Sequence, residues 1–111
     1  MRKPMKIAAL SLAVLTIGIC EAVAAGPAMN VGWADWSGDQ DACVKRASDK
    51  MRNSGFTTRF EVINNRTIFG ERGSYTAGIR CAAEKNVAFF VVSGPDTKEC
   101  SKYNDLIKEG F

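Results

Sequence analysis

The sequence contains no histidine, and this absence excludes a great deal of chemistry. Ser-His-Asp and Cys-His catalysis both use an imidazole as the base, and many zinc sites use histidine ligands. No Cys-x-x-Cys pair is present either, which argues against a thioredoxin-type oxidoreductase. The predicted fold brings no two carboxylates together, and no glycine-rich phosphate loop leads into a helix. We therefore predict a protein that is not an enzyme and that holds no metal and no cofactor.

The longest apolar run lies at the N-terminus. Three basic residues precede an apolar run over residues 7–19, and Ala22-Val23-Ala24 follows with small side chains. This order is typical of a cleavable secretory signal. A membrane-spanning helix needs about 20 apolar residues, and this run is shorter. Ile19, just before Cys20, is too large for lipoprotein processing. We predict that residues 1–25 are a signal peptide, that the protein is exported to the periplasm or secreted, and that no membrane attachment remains after cleavage.

The charges are nearly balanced once the signal is removed. The chain has 15 Lys+Arg and 12 Asp+Glu, a net charge of +3. Residues 1–25 contain three of these basic residues and one acidic residue, so 12 basic and 11 acidic residues remain, a net charge of +1. Such a balance gives no electrostatic reason to bind nucleic acid. About 86 residues remain, which is enough for one small domain.

The pattern after the signal predicts a loop followed by one α+β domain. Residues 26–38 contain Gly, Pro, Asn and Ser beside Trp33 and Trp36, and we expect a loop that the two indoles attach to the rest of the domain. Residues 39–111 form the domain. Their order is a helix, four antiparallel strands and a second helix. With both helices on one face of the meander, this is a two-layer sandwich.

Turn residues and strand composition predict the details of this meander. Asn64-Asn65 is expected to be a two-residue hairpin turn, because Asn tolerates a positive φ. In that register Ile63 faces Arg66. The fourth strand, Val87 to Ser93, is apolar on both faces, which is typical of a strand that is covered on both sides.

Three cysteines remain after signal cleavage. The predicted topology places Cys43, in the first turns of the first helix, level with Cys81 at the end of the third strand. Cys100 lies at the opposite end of the sheet. Because a disulfide needs Cα atoms within about 7 Å, we predict a Cys43–Cys81 bridge and a free Cys100 thiol. Cys100 lies on an apolar helical stripe, which favours a buried side chain, although it is also near a helix N-terminus, which favours a reactive thiolate.

Arginines and apolar residues share the predicted outer face of the sheet. Arg80 is expected to face Phe90 across the last hairpin as a cation–π pair. The candidate binding face consists of Arg59, Ile68, Arg80, Phe90 and Val92. Such a face suits an unidentified protein or a small anionic ligand. The alternative is that the tryptophan loop folds over it.

Two segments of the domain resemble known sequences. They are GSYTAGIRC at residues 73–81 and VAFFVVSGP at residues 87–95. The chain resembles a group of small exported bacterial proteins that lack an assigned function, and the resemblance extends from the first helix to the last. It implies a bacterial, periplasmic setting and adds no catalytic residue.

Three hypotheses about function follow from these patterns. The first is a small periplasmic or secreted binding or interaction module, inhibitor-like and without catalytic apparatus. The second is a thiol-dependent redox or stress protein that uses Cys100. The third is a structural protein that self-associates through its apolar fourth strand, provided that this strand is an edge. The pattern is compatible with either a monomer or a homodimer.

Overall fold

The computed structural model describes residues 26–111, so the predicted signal peptide at residues 1–25 lies outside the described residues. The elements are β1 (Ala28–Asp35), α1 (Gln40–Asn53), β2 (Thr58–Ile63), β3 (Thr67–Arg72), β4 (Tyr75–Ala82), a 3-10 turn (Ala83–Lys85), β5 (Val87–Gly94) and α2 (Thr97–Lys108). Within residues 26–111, neither helix has the length and apolar character that crossing a membrane would require.

The strands form one antiparallel sheet in the order β1-β5-β4-β3-β2, and both helices pack on the same face of it. The predicted α+β sandwich is confirmed, but the sheet has five strands instead of four. The predicted loop at 26–38 is wrong for most of its length, because β1 pairs with β5 from Ala28 opposite Gly94 to Asp35 opposite Val87. Consequently β5, the fourth strand of the predicted meander, is an internal strand and not an edge.

Acidic residues cap the N-termini of both helices. The Asp39 carboxylate accepts a hydrogen bond from the Ala42 N–H at 2.7 Å, and the Asp96 carboxylate accepts one from the Glu99 N–H at 2.9 Å. Each bond satisfies a backbone donor that the helix itself leaves free. Gly55, with φ +85°, follows α1, where a left-handed residue reverses the chain at low cost.

The core lies between the helices and the inner face of the sheet. The helices contribute Met51 and Ile107, and the strands contribute Ile79 and Phe90, all fully buried. Phe56, from the segment between α1 and β2, completes this layer. These side chains are inaccessible to water, so they supply the main apolar contribution to folding.

A disulfide joins the two layers. Cys43, in the first turn of α1, is bonded to Cys81 near the end of β4, with their Cα atoms 5.9 Å apart. The predicted pairing is confirmed. The bond fixes the start of α1 over the end of β4, the middle strand of the sheet, and it closes a segment with a sequence separation of 38.

Both hairpins next to the predicted binding face differ in register from the prediction. Asn64 and Asn65 both have positive φ, as expected, but Ile63 pairs with Thr67 instead of Arg66. Arg66 is an extra residue in the connection, and its carbonyl accepts a hydrogen bond from the Cys81 N–H at 2.8 Å. A shift of one residue exchanges the two faces of a strand, so the predicted face assignments of Ile68 and its neighbours do not hold.

The register of the β4–β5 hairpin also differs by one residue from the prediction. The 3-10 turn and Asn86, with φ +57°, make a four-residue connection, so that Ala82 pairs with Val87. Arg80 therefore lies opposite Phe89, and the predicted Arg80–Phe90 pair is wrong. Phe90 lies on the helix-facing side of β5.

Candidate functional site

Three residues of the predicted binding face belong to the core. Ile68, Phe90 and Val92 are fully buried on the helix-facing side of the sheet. Arg59 is exposed in an irregular part of β2, where its guanidinium forms an ion pair with Glu71 at 2.5 Å. Arg80 is the residue that the structure places on the outer face as predicted.

Arg72, at the end of β3, points to the helices. Its guanidinium donates a hydrogen bond to the Ser54 carbonyl at 2.9 Å and lies 4.8 Å from the centre of the Tyr103 ring. These contacts tie the end of β3 to both helices. Arg72 is therefore a structural residue of the sandwich.

The side of the sheet opposite the helices is nevertheless strongly apolar. We call it the outer face, and it includes Met29, Val31, Trp33, Ile63, Phe69, Arg80, Phe89 and Val91. Met29, Val31 and Trp33 each expose about two-thirds of their surface, and Phe89 exposes 49%. Large apolar residues that remain this exposed side by side mark interaction sites more often than isolated ones do.

Cross-strand pairing gathers these side chains. Val31 of β1 lies opposite Val91 of β5, and Trp33 lies opposite Phe89. Phe89 in turn lies opposite Arg80 of β4. Because directly opposite side chains in an antiparallel pair are close neighbours, the apolar residues form a continuous surface across these strands.

A groove crosses the centre of the outer face. Its volume is about 530 Å³, within the range of ligand-binding sites, and its side-chain lining comes chiefly from Val31, Ile63, Phe69, Arg80, Phe89 and Val91. Gly78 contributes to its floor. A Cβ at Gly78 would lie 2.9 Å from the Phe69 ring, so the missing side chain lets that ring lie across β4. The groove depends on this glycine.

Arg80 brings a positive charge to this apolar groove. Its Nη1 donates a hydrogen bond to the Thr67 hydroxyl at 3.0 Å. Within residues 26–111 the ion pairs are Lys45–Asp49, Arg59–Glu71 and Arg66–Glu84, and none involves Arg80. The guanidinium therefore has donors that no carboxylate of the described residues uses.

The two tryptophans divide between the faces. Trp36 is buried beside Phe111, and its ring N–H donates to the Asp39 carbonyl at 3.1 Å. As expected, Trp36 attaches the N-terminal segment to the core of the domain. Trp33 instead lies exposed on the outer face, so the N-terminal segment widens this face as a strand and does not fold over it.

Sequence reasoning missed the contribution of β1, although a signal was present. Over residues 28–34 the large residues Met29, Val31 and Trp33 alternate with smaller ones. This two-residue period is typical of a strand with unlike faces. The Gly and Asn content of the segment favoured a loop, and pairing with β5 outweighs that local preference.

Cys100 lies in the core near the N-terminal end of α2. It is fully buried, and its sulfur lies 3.8 Å from the Ala28 carbonyl of β1. Burial raises the pKa of the Cys100 thiol, and the nearby Asp96 carboxylate adds to that increase. Both effects oppose the thiolate that a reactive cysteine needs.

We expect iodoacetamide to leave the native thiol of Cys100 unmodified. Protein recovered from exporting cells should gain no alkyl group when native, one after denaturation and three after denaturation with reduction, as measured by intact mass. Fast modification of the native protein would contradict the buried position of Cys100 and support the redox hypothesis.

No protein-family model, curated protein or solved structure matches this chain. Among residues 26–111, no three acidic or cysteine side chains are grouped so as to hold a metal ion. The geometry of the outer face therefore carries the functional argument.

Proposed function

We propose that this chain is an exported binding module that takes an amphipathic anion on its outer face. The ligand has an apolar body, which lies in the groove, and a carboxylate or similar anionic group, which pairs with Arg80. The observation that carries the proposal is an open apolar groove beside an arginine that has no carboxylate partner within residues 26–111. The signal-like N-terminus and the disulfide support export.

The composition of β1 and β5 indicates that the ligand has an apolar body. In antiparallel sheets with one solvated face, the outward positions are usually polar. Here Val31, Phe89 and Val91 occupy such positions, and Phe89 exposes half of its surface. Full burial of an exposed side chain of this size contributes about 1.5–3 kcal/mol. Phe89 is already half buried, so a ligand that covers it gains a part of that amount.

Arg80 indicates that the ligand carries an anionic group. A wholly apolar ligand in the groove would remove water from the guanidinium without replacing its hydrogen bonds, which is unfavourable. A carboxylate replaces them, and it can accept two parallel N–H bonds from one guanidinium. The hydrogen bond to Thr67 already restrains the Arg80 guanidinium, so the side chain loses less conformational freedom when a ligand binds.

A pair of matched ligands tests both parts of the proposal. Decanoate and decan-1-ol share an apolar chain and differ in the anionic group. We expect the wild-type protein to bind decanoate at least about tenfold more tightly than decan-1-ol, because charge-assisted hydrogen bonds contribute about 1.5–3 kcal/mol. Displacement of anilinonaphthalene sulfonate, followed by its fluorescence, measures both affinities.

Two arginine variants identify the residue responsible. Arg80→Met keeps an unbranched, flexible side chain and removes the charge, so it should abolish the preference for decanoate. Arg59→Met removes an exposed arginine whose ion pair with Glu71 lies outside the groove lining, and it should leave the preference unchanged. Equal affinity for the two ligands in the wild type, or equal loss in both variants, would contradict the proposal. Failure of both ligands to bind would favour a protein partner.

A further inference from the structure

The two edges of the sheet differ in how well they are protected from further pairing. The edges are β1 and β2. We propose that β1 pairs antiparallel with β1 of a second copy of this chain, which joins two sheets into one continuous sheet. This inference does not depend on the ligand proposed for the outer face.

The backbone of β1 has unused hydrogen-bonding groups. The Trp36 N–H donates to the Asn86 carbonyl at 2.9 Å, in line with the β1–β5 register. Because hydrogen-bonded pairs alternate along an antiparallel ladder, Met29, Val31 and Trp33 direct their backbone groups away from β5. These groups have no other hydrogen-bond partner within residues 26–111. They form a template for another strand.

The opposite edge, β2, carries features that block such pairing. Its register with β3 shifts between Thr58 and Glu61, and Arg59 has φ +49°. A bulge and charged side chains are the usual devices that prevent edge-to-edge association. β1 has a regular register over its eight residues, and its one charged residue is Asp35, at its end. Protection on one edge alone indicates that the other edge is used.

The sequence of β1 is compatible with pairing to itself. In a register centred on Val31, Met29 lies opposite Trp33 of the second copy, and Val31 lies opposite its own counterpart. Asp35 lies opposite Pro27, which has no N–H and ends the ladder. No like charges meet, and the Met29 sulfur reaches an aromatic ring. A peptide of unrelated sequence has no such complementary pairing, so the proposed partner of β1 is β1 of a second copy of this chain.

The dimer has a defined geometry. Its two-fold axis is perpendicular to the sheet, because the two strands run antiparallel at a shared edge. Both helical layers therefore lie on one side, and both outer faces lie on the other. Met29, Val31 and Trp33, each about two-thirds exposed in the single chain, gain apolar neighbours across the new pair.

Two double variants test the pairing by sedimentation equilibrium on protein from exporting cells. Met29→Lys with Trp33→Lys places lysine opposite lysine twice across the dimer. Met29→Glu with Trp33→Lys places glutamate opposite lysine twice. Both variants lose the same two exposed side chains, so they differ only in the sign of the charge introduced at position 29. Near-ultraviolet circular dichroism checks that both remain folded.

We expect the wild-type mass to rise from one chain to two chains between about 10 μM and 1 mM. The lysine–lysine variant should dissociate at least about tenfold more readily than the glutamate–lysine variant, because like charges directly opposite destabilise a strand pair and unlike charges stabilise it. A wild-type mass of one chain at every concentration would overturn the proposal. Equal or reversed dissociation constants of the two variants would also overturn it.

Discussion

Replacing Phe56 by alanine should lower the free energy of unfolding by about 3–5 kcal/mol, the usual cost of deleting a buried aromatic ring. Phe56 is fully buried, and its ring meets Tyr103 of α2 edge-on, with the ring centres 5.4 Å apart. A Cβ at Gly70 would collide with the Phe56 carbonyl oxygen, which shows how closely β3 approaches this segment. Little room is left for the structure to relax into the cavity. Urea unfolding followed by circular dichroism measures the change.

Phe89→Ala is the matched control for this prediction. It deletes the same ring from the outer face, where Phe89 is 49% exposed. We expect a loss of about 1 kcal/mol, because the smaller burial leaves less apolar area to lose. Equal losses in the two variants would contradict the half-exposed position of Phe89 on the outer face.

Removal of the Cys43–Cys81 disulfide should lower the free energy of unfolding by about 2–4 kcal/mol. The bond closes a long segment, with a sequence separation of 38, and its loss gives the unfolded chain more conformational freedom. For a domain whose total stability is typically about 5–15 kcal/mol, this is a large fraction. Urea unfolding of the Cys43→Ala, Cys81→Ala double variant measures the effect.

Reducing agent supplies the control for the disulfide prediction. Dithiothreitol should shift the unfolding midpoint of the wild type towards that of the double variant and should leave the double variant unchanged. A wild-type midpoint that reducing agent does not move, in protein shown by mass to be reduced, would contradict a stabilising role for this bond.

The elements that sequence predicted best are those with strong local signals. Both helices were predicted in their correct places in the chain order, because caps such as Asp96 and buried stripes such as the one that includes Cys100 are local features. The Cys43–Cys81 bond followed from the order of elements alone, because the relative levels of helix and strand ends do not depend on exact register.

Strand register was the weak point of the sequence prediction, and it decided which residues form the site. One extra residue in each of two connections, Arg66 and the first residue of the 3-10 turn, moved Ile68, Phe90 and Val92 from the expected outer face into the core. Local turn preference does not fix these positions. They are set by contacts such as the hydrogen bond from the Cys81 N–H to the Arg66 carbonyl, which joins residues distant in sequence.

The sequence correctly predicted that β5 is apolar on both faces. What covers the outer face of this strand is therefore the question that bears on function. A strand that is apolar on both faces is expected to be covered on both. The helices cover one face, whereas Phe89 remains half exposed on the other within residues 26–111. The proposed ligand would provide the cover that these residues do not supply.

The central claim is that the outer face binds an amphipathic anion, and amide and methyl chemical shifts measured during a decanoate titration test it most directly. The account predicts saturable shifts of the Val31, Ile63 and Val91 methyl groups and of the Arg80 side-chain N–H groups, with the core methyl groups of Ile79 and Ile107 nearly unchanged. Shifts centred on the helices, or no saturable shift on the outer face, would contradict the account.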